Sequence, residues 1–185
     1  MVEIVNQILA VATVAAQIIS LILLISLVIF WFTKKSNPVL NWFSANAVLA
    51  AFIVSLTATL GSLFYSEIAG YEPCKLCWFQ RILMYPQVIL FGLALKKKYV
   101  ATINNGIVLS VLGAIIAGYH YLGQIMPTTP LPCSALGYSV SCSQRFVMQF
   151  GYITIPLMAF SAFILIALTL IAAKVKSRNT GLTSS

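Results

Sequence analysis

The chain has 185 residues, of which 61% are hydrophobic and only 8% are charged, and its mean hydropathy is +0.99. Soluble domains carry about 25% charged residues, so this composition excludes an ordinary water-soluble protein. The net charge of +8 does not indicate nucleic-acid binding, because the basic residues stand in short clusters between apolar runs. In lipid only helices and closed barrels satisfy all their backbone hydrogen bonds, and the long unbroken apolar runs favour helices.

Five apolar runs are predicted to cross the membrane, each at or near the ~20 residues that a bilayer requires. They cover residues 4–32, 40–65, 78–95, 101–125 and 146–173. The first run has Glu3 where a signal peptide has a basic region, and it is too long for a signal peptide, so we predict that it stays as a helix. It is apolar on all sides and contains small alanine and serine residues. This pattern predicts a helix that packs against lipid and other helices and has no catalytic role.

Three basic clusters set the predicted topology. They contain eight of the eleven basic residues, namely Lys34, Lys35, Lys96, Lys97, Lys98, Lys174, Lys176 and Arg178. With five spans, all three clusters fall on one side of the membrane, which the positive-inside rule assigns to the cytoplasm. The N-terminus and the loops 66–77 and 126–145 then lie outside, and the C-terminus lies in the cytoplasm.

Two pairs of cysteines lie in the outside loops. Cys74 and Cys77 form a Cys-Lys-Leu-Cys motif before the third span, and Cys133 and Cys142 lie in the second loop. Disulfides persist in an oxidising compartment, so we expect Cys74–Cys77 and Cys133–Cys142 disulfides, with pairing between the loops as the alternative.

The pairs have a structural and a catalytic interpretation. An even number of cysteines in outside loops is often a set of staples. A disulfide that closes as small a ring as Cys74–Cys77 restrains little chain entropy, however, and such bonds are often reducible. The spacing therefore favours thiol–disulfide exchange. A zinc site made of four thiolates is a further alternative, which an oxidising compartment disfavours.

Three polar residues are placed at membrane depth, where such groups are costly without a partner or a role. Arg81 follows Cys77 by one helical turn, where its charge would favour the Cys77 thiolate; an arginine snorkelling to the interface is the alternative. His120 and Gln124 share one face of the fourth span. With Arg81 they are candidates to surround a small polar ligand, and a structural buried histidine is the alternative.

The stretch Pro73-Cys74-Lys75-Leu76-Cys77-Trp78-Phe79-Gln80-Arg81 resembles the first periplasmic motif of the disulfide bond formation protein B (DsbB) family, including its BdbC-type members. The second cysteine pair, His120 and Gln124 fit the same pattern, and the resemblance covers roughly residues 38–175. The family core has four spans, so the first span is additional here.

The resemblance implies an all-α membrane protein with a four-helix transmembrane bundle in residues 37–176. Residues 1–36 would add an N-terminal transmembrane helix, and residues 177–185 would form a cytoplasmic tail. It further implies a multi-pass cell-membrane thiol oxidase. Such an enzyme takes electrons from an extracytoplasmic thioredoxin-fold partner of the DsbA or BdbD type and passes them to a membrane quinone, either ubiquinone or menaquinone.

The resemblance also implies a role for each site residue, with no metal. Cys133 would form the mixed disulfide with the partner, Cys142 would connect to Cys74, and Cys77 would face the quinone. Arg81, His120 and Gln124 would line the quinone site. Two other functions remain as alternatives: a vitamin K epoxide reductase-like protein, in which the Cys-x-x-Cys should follow the second pair in sequence, and a non-enzymatic membrane protein with disulfide-stapled loops.

Overall fold

The computed structural model of the chain describes residues 1–95, 100–126 and 142–179. Within these ranges the chain forms six α-helices and no β-strand. They are α1 (Val2–Thr33), α2 (Pro38–Ala45), α3 (Ala47–Leu63), α4 (Lys75–Ala94), α5 (Val100–Ile125) and α6 (Ile155–Asn179), with a π-helical turn, Phe64–Ile68, directly after α3.

Five of these elements are long and apolar enough to cross a membrane. They are α1, α3 with its π-helical turn, α4, α5 and α6. The predicted fold class is therefore confirmed: the chain is an all-α, multi-pass membrane protein with a four-helix bundle, α3 to α6, and one additional N-terminal helix.

The second predicted span is divided in the structure, so its predicted start at residue 40 was wrong. The Asn37 side chain accepts a hydrogen bond of 2.7 Å from the Leu40 amide, and Pro38 occupies the first turn, which together begin the short helix α2. At Asn46 the backbone leaves the helical region and the side-chain amide donates to the Trp42 carbonyl at 2.9 Å. Asparagine commonly competes with helix geometry in this way, and α3 begins only after it.

Two further boundaries differ from the prediction. Helix α4 begins at Lys75 and not at residue 78, so that Cys74 occupies the N-cap position and Cys77 lies in the first turn. Helix α6 begins at Ile155 and not at residue 146. The preceding segment turns tightly, because Phe150 and Gly151 both have positive φ angles of 51° and 77°.

Helix α6 lies at the centre of the bundle and packs against α1, α2, α3 and α5. The approach of α5 is close at Gly113, where an added Cβ would lie 2.3 Å from Cε1 of Phe163. Membrane helices commonly use such small residues to pack closely, since apolar faces alone gain little from meeting in lipid. The bundle core contains the buried residues Ala51, Met84, Phe91, Ala117, Phe163 and Ile166.

The ends of the bundle differ in chemistry. At one end Phe30 of α1 packs with Leu40 and Ala172. Basic residues lie near this end, directly after α1 and in the last turn of α6. At the opposite end Glu3 accepts a hydrogen bond of 2.9 Å from Gln149. The cysteines lie at this second end. Lys96, Lys97, Lys98 and residues 180–185 lie outside the described residues, and the side of the membrane that each end faces stays a prediction.

Candidate active site

The dithiol of Cys74 and Cys77 is held at the amino end of α4. Cys74 is buried and stands at the N-cap position of the helix, and Cys77 is half-buried one turn later. Their sulfur atoms lie 3.2 Å apart and both thiols are free. This arrangement is the reduced form of a pair that can close with a small movement, and the predicted Cys74–Cys77 disulfide stays a prediction.

His120 connects this dithiol to the second cysteine region. The residue is only 1% exposed. Nε2 lies 3.7 Å from Cys74 Sγ and 3.0 Å from the backbone oxygen of Cys142, while Nδ1 lies 3.0 Å from Nε2 of Gln80. Because the Gln80 amide donates to Nδ1, the ring proton is on Nε2, where it is donated to the Cys142 carbonyl. The histidine therefore joins α4, α5 and the segment after the second loop.

The same contacts act on the charge of Cys74. The hydrogen bond with the Cys77 thiol lowers the pKa of Cys74 below its usual range, and the hydrogen bond with His120 lowers it further, against the opposing effect of burial. The amino end of α4 also favours a negative charge at this position. In the reduced pair, these contacts favour the thiolate on Cys74.

Arg81 is anchored to the neighbouring helix. Its Nε donates to the Ser62 hydroxyl at 2.9 Å and its Nη2 donates to the Ser62 carbonyl at 2.9 Å. Tyr85 donates to the same hydroxyl at 3.2 Å, and the Trp78 ring lies 5.4 Å from the guanidinium carbon. These bonds fix Arg81 one turn below Cys77, in contact with α3, and its predicted effect on the Cys77 thiolate stays a prediction.

Gln124 lies one turn after His120 on α5, as the sequence predicts. Its side-chain nitrogen donates to the Gln144 backbone carbonyl at 3.1 Å, and the backbone carbonyl of Gln124 accepts a hydrogen bond from Arg145. Its side-chain oxygen is buried and has no hydrogen-bond partner. The residue thus ties α5 to the segment after the second loop and leaves one buried acceptor unused.

A cavity of about 310 Å³ brings these residues together. Its polar end is lined by Cys74, Cys77, Arg81, His120, Gln124 and Cys142, and its remaining walls are mostly apolar side chains of α1, α3 and α6. The Thr154 hydroxyl, on a residue that also lines the cavity, is a second buried group without a partner. A cavity of this size, apolar with a few polar groups, is typical of a small-molecule site.

The second cysteine pair is described only in part. Cys142 is 1% exposed, is disulfide-bonded, and belongs to one buried cluster with Cys74, Leu76 and Cys77. Cys133 lies outside the described residues, so its predicted pairing with Cys142 stays a prediction. The burial of Cys142 beside Cys74 places one sulfur of the second pair next to the first pair.

Sequence reasoning assigned no role to three residues that complete the site: Ser62, Gln80 and Tyr85. Gln80 follows Cys77 by three residues, so its place on the same helix face could have been found from spacing. Ser62 lies on another helix, and its contact with Arg81 depends on how α3 and α4 pack. A local sequence pattern does not predict that packing.

The site offers a metal two soft sulfur donors and one imidazole nitrogen. The two sulfur atoms and a ring nitrogen of Cys74, Cys77 and His120 all lie within 4.8 Å of one another. Because Cys142 is disulfide-bonded, it contributes no thiolate to the four-thiolate zinc site considered from the sequence. The three-donor set is open to a metal only while the dithiol is reduced.

The family model and the curated relatives that match this chain carry the same description, disulfide formation. The family described as "Disulfide bond formation protein DsbB" matches residues 44–173. A "Probable disulfide formation protein" of Oceanobacillus iheyensis is 42% identical over 121 residues, which are 65% of this chain and 83% of the relative. The "Disulfide bond formation protein C" of Bacillus subtilis is 44% identical over 125 residues, 63% of this chain and 84% of the relative. No solved structure matches the chain.

Proposed function

The chain belongs to the disulfide bond formation protein B family, and on that basis we propose that it is a quinone-coupled thiol oxidase of the cell membrane. In this proposal it reoxidises an extracytoplasmic thioredoxin-fold partner and passes the electrons to a membrane quinone. One observation carries the proposal: the Cys74–Cys77 dithiol forms part of a largely apolar cavity and also contacts, through His120, the region of the second cysteine pair.

The electrons would move by two thiol–disulfide exchanges. The partner's dithiol attacks the Cys133–Cys142 disulfide, and the partner leaves as a disulfide while the loop pair becomes a dithiol. Cys142 then attacks the Cys74–Cys77 disulfide through a mixed disulfide with Cys74, so that the loop pair is oxidised again and Cys74–Cys77 becomes the dithiol. Each exchange transfers two electrons between sulfur atoms and needs no metal.

The burial of the sulfurs supports this division of roles. Cys142 is 1% exposed and lies beside Cys74, so it is suited to the internal exchange and leaves Cys133 as the sulfur that meets a soluble partner. His120 donates to the Cys142 carbonyl and lies next to Cys74. It would hold these two segments together and stabilise the thiolate that leaves when Cys74 is released.

The cavity fits a quinone by its chemistry. A quinone ring is flat and apolar with two carbonyl oxygens, and when bound it accepts two electrons and two protons. The apolar walls would hold the ring. The unpartnered Thr154 hydroxyl can donate to a carbonyl oxygen, and the unpartnered Gln124 oxygen can accept from a hydroxyl. Burying such groups unpaired is costly, so a ligand that completed their hydrogen bonds would gain affinity here.

The alternatives fit less well. Disulfides that only staple loops need no cavity beside them, whereas this dithiol faces one that is shared with α1, α3 and α6. A vitamin K epoxide reductase-like protein would have its Cys-x-x-Cys after the second pair, whereas here Cys74 and Cys77 precede Cys133 and Cys142.

Two cysteine variants test the proposal by separating the half-reactions. The purified protein is mixed anaerobically with a reduced thioredoxin-fold partner and with ubiquinone or menaquinone, and the quinone absorbance is followed. Cys77→Ser should abolish quinone reduction but still trap the partner as a mixed disulfide through Cys133. Cys133→Ser should lose the partner reaction but still reduce quinone with dithiothreitol. Normal quinone turnover by Cys77→Ser would overturn the assignment.

A further inference from the structure

Helix α1 lies outside the region that the family shares, yet it forms one wall of the cavity. The family match begins at residue 44, and α1 ends at Thr33. Leu9, Ala12, Thr13 and Ala16 of α1 nevertheless line the same cavity as the dithiol. We propose that α1 is part of the ligand site, and that the space between α1 and α3 holds the prenyl tail of the quinone. This inference rests on the proposed function.

The space exists because of how the helices pack. Helices α1 and α3 both pack on α6 but barely touch each other. The surfaces that they turn to the cavity carry small side chains, Ala12 and Ala16 on α1 and Ala58 and Gly61 on α3. We call this region the α1–α3 cleft. Small residues at a helix interface usually let two helices meet, whereas here they leave room between them.

Helices α1 and α3 approach each other next to the redox site. There an added Cβ on Gly61 would lie 3.2 Å from Cδ1 of Leu9, and the next residue, Ser62, holds Arg81. Farther along the helices the rim is accessible, since Ala12 is exposed and Ile53 is 53% exposed. A chain-like group could therefore run from the polar end of the cavity to the lipid.

The chemistry of the cleft suits hydrocarbon. The Thr13 hydroxyl, on the α1 side, donates to the Leu9 carbonyl of its own helix at 2.7 Å, so its hydrogen-bonding capacity is met within α1. The polar groups of the cavity that lack partners, on Gln124 and Thr154, belong to α5 and to the residue before α6. The unpartnered polar groups therefore lie away from the α1–α3 cleft. A ligand with a polar head and an apolar tail matches this arrangement.

Helix α1 is fixed against α6 and against the segment that precedes α6. Gln17 donates to the Ser161 hydroxyl at 3.2 Å and accepts from the Tyr152 hydroxyl at 3.2 Å, while Glu3 accepts from Gln149 at 2.9 Å. At the other end, Phe30 packs against Ala172 of α6. These contacts hold the wall in place, so a larger side chain on it would fill the cleft.

A matched pair of alanine variants tests the inference. Ala15 and Ala16 are neighbours on α1, but Ala16 lines the cavity whereas Ala15 is exposed and does not. Ala16→Phe should raise the KM for a long-tailed quinone about tenfold, which corresponds to ~1.4 kcal/mol of binding. The KM for a quinone with a single prenyl unit should change little, and Ala15→Phe should change neither value. If Ala16→Phe does not fold, Ala16→Leu places a smaller side chain in the cleft and should raise the same KM by less.

A second measurement needs no variant. A quinone with a photoreactive group on its tail should label wild-type α1 between Leu9 and Ala16, and excess unlabelled long-tailed quinone should compete for this labelling. If added phospholipid reduces the labelling of that segment but unlabelled quinone does not, a lipid chain occupies the cleft and the inference fails. Equal KM values for Ala15→Phe and Ala16→Phe would also overturn it. If wild-type protein reduces no quinone of any tail length, the proposed function itself fails.

Discussion

The Nε2 atom of His120 donates a hydrogen bond of 3.0 Å to the backbone oxygen of Cys142. The same nitrogen lies 3.7 Å from the sulfur of Cys74. One buried side chain therefore contacts a cysteine of each pair. In the sequence, the two pairs are separated by more residues than one membrane span contains. Exchange between the pairs requires their sulfurs to meet, and His120 is placed to hold the two segments in reach of each other.

We predict that His120→Ala slows the exchange between the pairs. The substitution leaves the Gln80 amide and the Cys142 carbonyl without their partner, at a cost of about 1–3 kcal/mol for each buried group. It also removes the second hydrogen bond that lowers the pKa of Cys74. Stopped-flow mixing with a reduced partner should show normal partner oxidation in the first turnover and slower reduction of Cys74–Cys77.

Gln80→Ala provides the control for the histidine prediction. It removes the bond to Nδ1 but keeps the ring next to Cys74 and Cys142. We expect a smaller effect than that of His120→Ala. Equal exchange rates in wild type and His120→Ala would show that the histidine only fills the core.

A second prediction concerns the thiolate of the reduced pair. Because the hydrogen bond with Cys77 is the largest cause that lowers the pKa of Cys74, Cys77→Ala should raise this pKa. Cys77→Ser should raise it less, since a hydroxyl can still donate. The rate of Cys74 alkylation by iodoacetamide, measured against pH in variants that lack Cys133 and Cys142, reports the pKa directly.

The sign of this shift has a redox consequence. A lowered thiol pKa stabilises the reduced form at neutral pH, and a stabilised reduced form makes the disulfide a stronger oxidant. The Cys74–Cys77 disulfide should therefore draw electrons from the loop pair. If Cys77→Ala and Cys77→Ser alkylate with the same pH profile, the hydrogen bond does not set the pKa of Cys74.

The third prediction separates the charge of Arg81 from its geometry. Arg81→Ala should weaken quinone use most, and Arg81→Lys should restore only part, because an ammonium cannot reproduce the two-pronged contact with Ser62. Ser62→Ala removes the hydroxyl but keeps the backbone acceptor, so we expect a mild rise in the KM for quinone. A Ser62→Ala variant as defective as Arg81→Ala would mean that the contact with α3, and not the charge, is what matters.

Much of this architecture could be predicted from the sequence. Hydropathy gives the spans because lipid demands long apolar helices, and spacing places Cys77 with Arg81 and His120 with Gln124 on shared helix faces. The contact between Ser62 and Arg81 could not be predicted in this way. The part played by α1 could not be predicted either. Its residues at the cavity are leucine, alanine and threonine, and in lipid an apolar face does not tell which side of a helix meets protein.

The fourth prediction is that soft metal ions inhibit the reduced protein. Cys74, Cys77 and His120 place three donor atoms within 4.8 Å of one another, and thiolates bind Zn²⁺ and Cd²⁺ well. Binding through Nε2 of His120 would displace its proton and break its hydrogen bond to the Cys142 carbonyl, because a ligating nitrogen must offer its lone pair. Cd²⁺ added to the reduced protein should produce thiolate-to-metal absorbance in the ultraviolet and stop quinone reduction. The oxidised protein should show neither effect, and His120→Ala should need more Cd²⁺. Equal Cd²⁺ binding by wild type and His120→Ala would exclude the histidine as a ligand.

The fifth prediction concerns topology, on which the mechanism depends, because cysteines on the cytoplasmic side would be kept reduced. In intact cells treated with a reductant, a membrane-impermeant maleimide should label the native protein, and mainly at Cys133, since Cys74 and Cys142 are buried. In a variant without native cysteines, Glu67→Cys should be labelled in intact cells. Lys35→Cys should react only after the cells are permeabilised.

The two engineered sites are informative because both are exposed and lie at opposite ends of the bundle. Glu67 is in the π-helical turn at the cysteine end, and Lys35 follows α1 at the basic end. A difference in their labelling therefore reports sidedness and not burial. If Lys35→Cys reacts in intact cells and Glu67→Cys does not, the orientation is inverted. The cysteine pairs would then face the reducing compartment, where a thiol oxidase could not serve an extracytoplasmic partner.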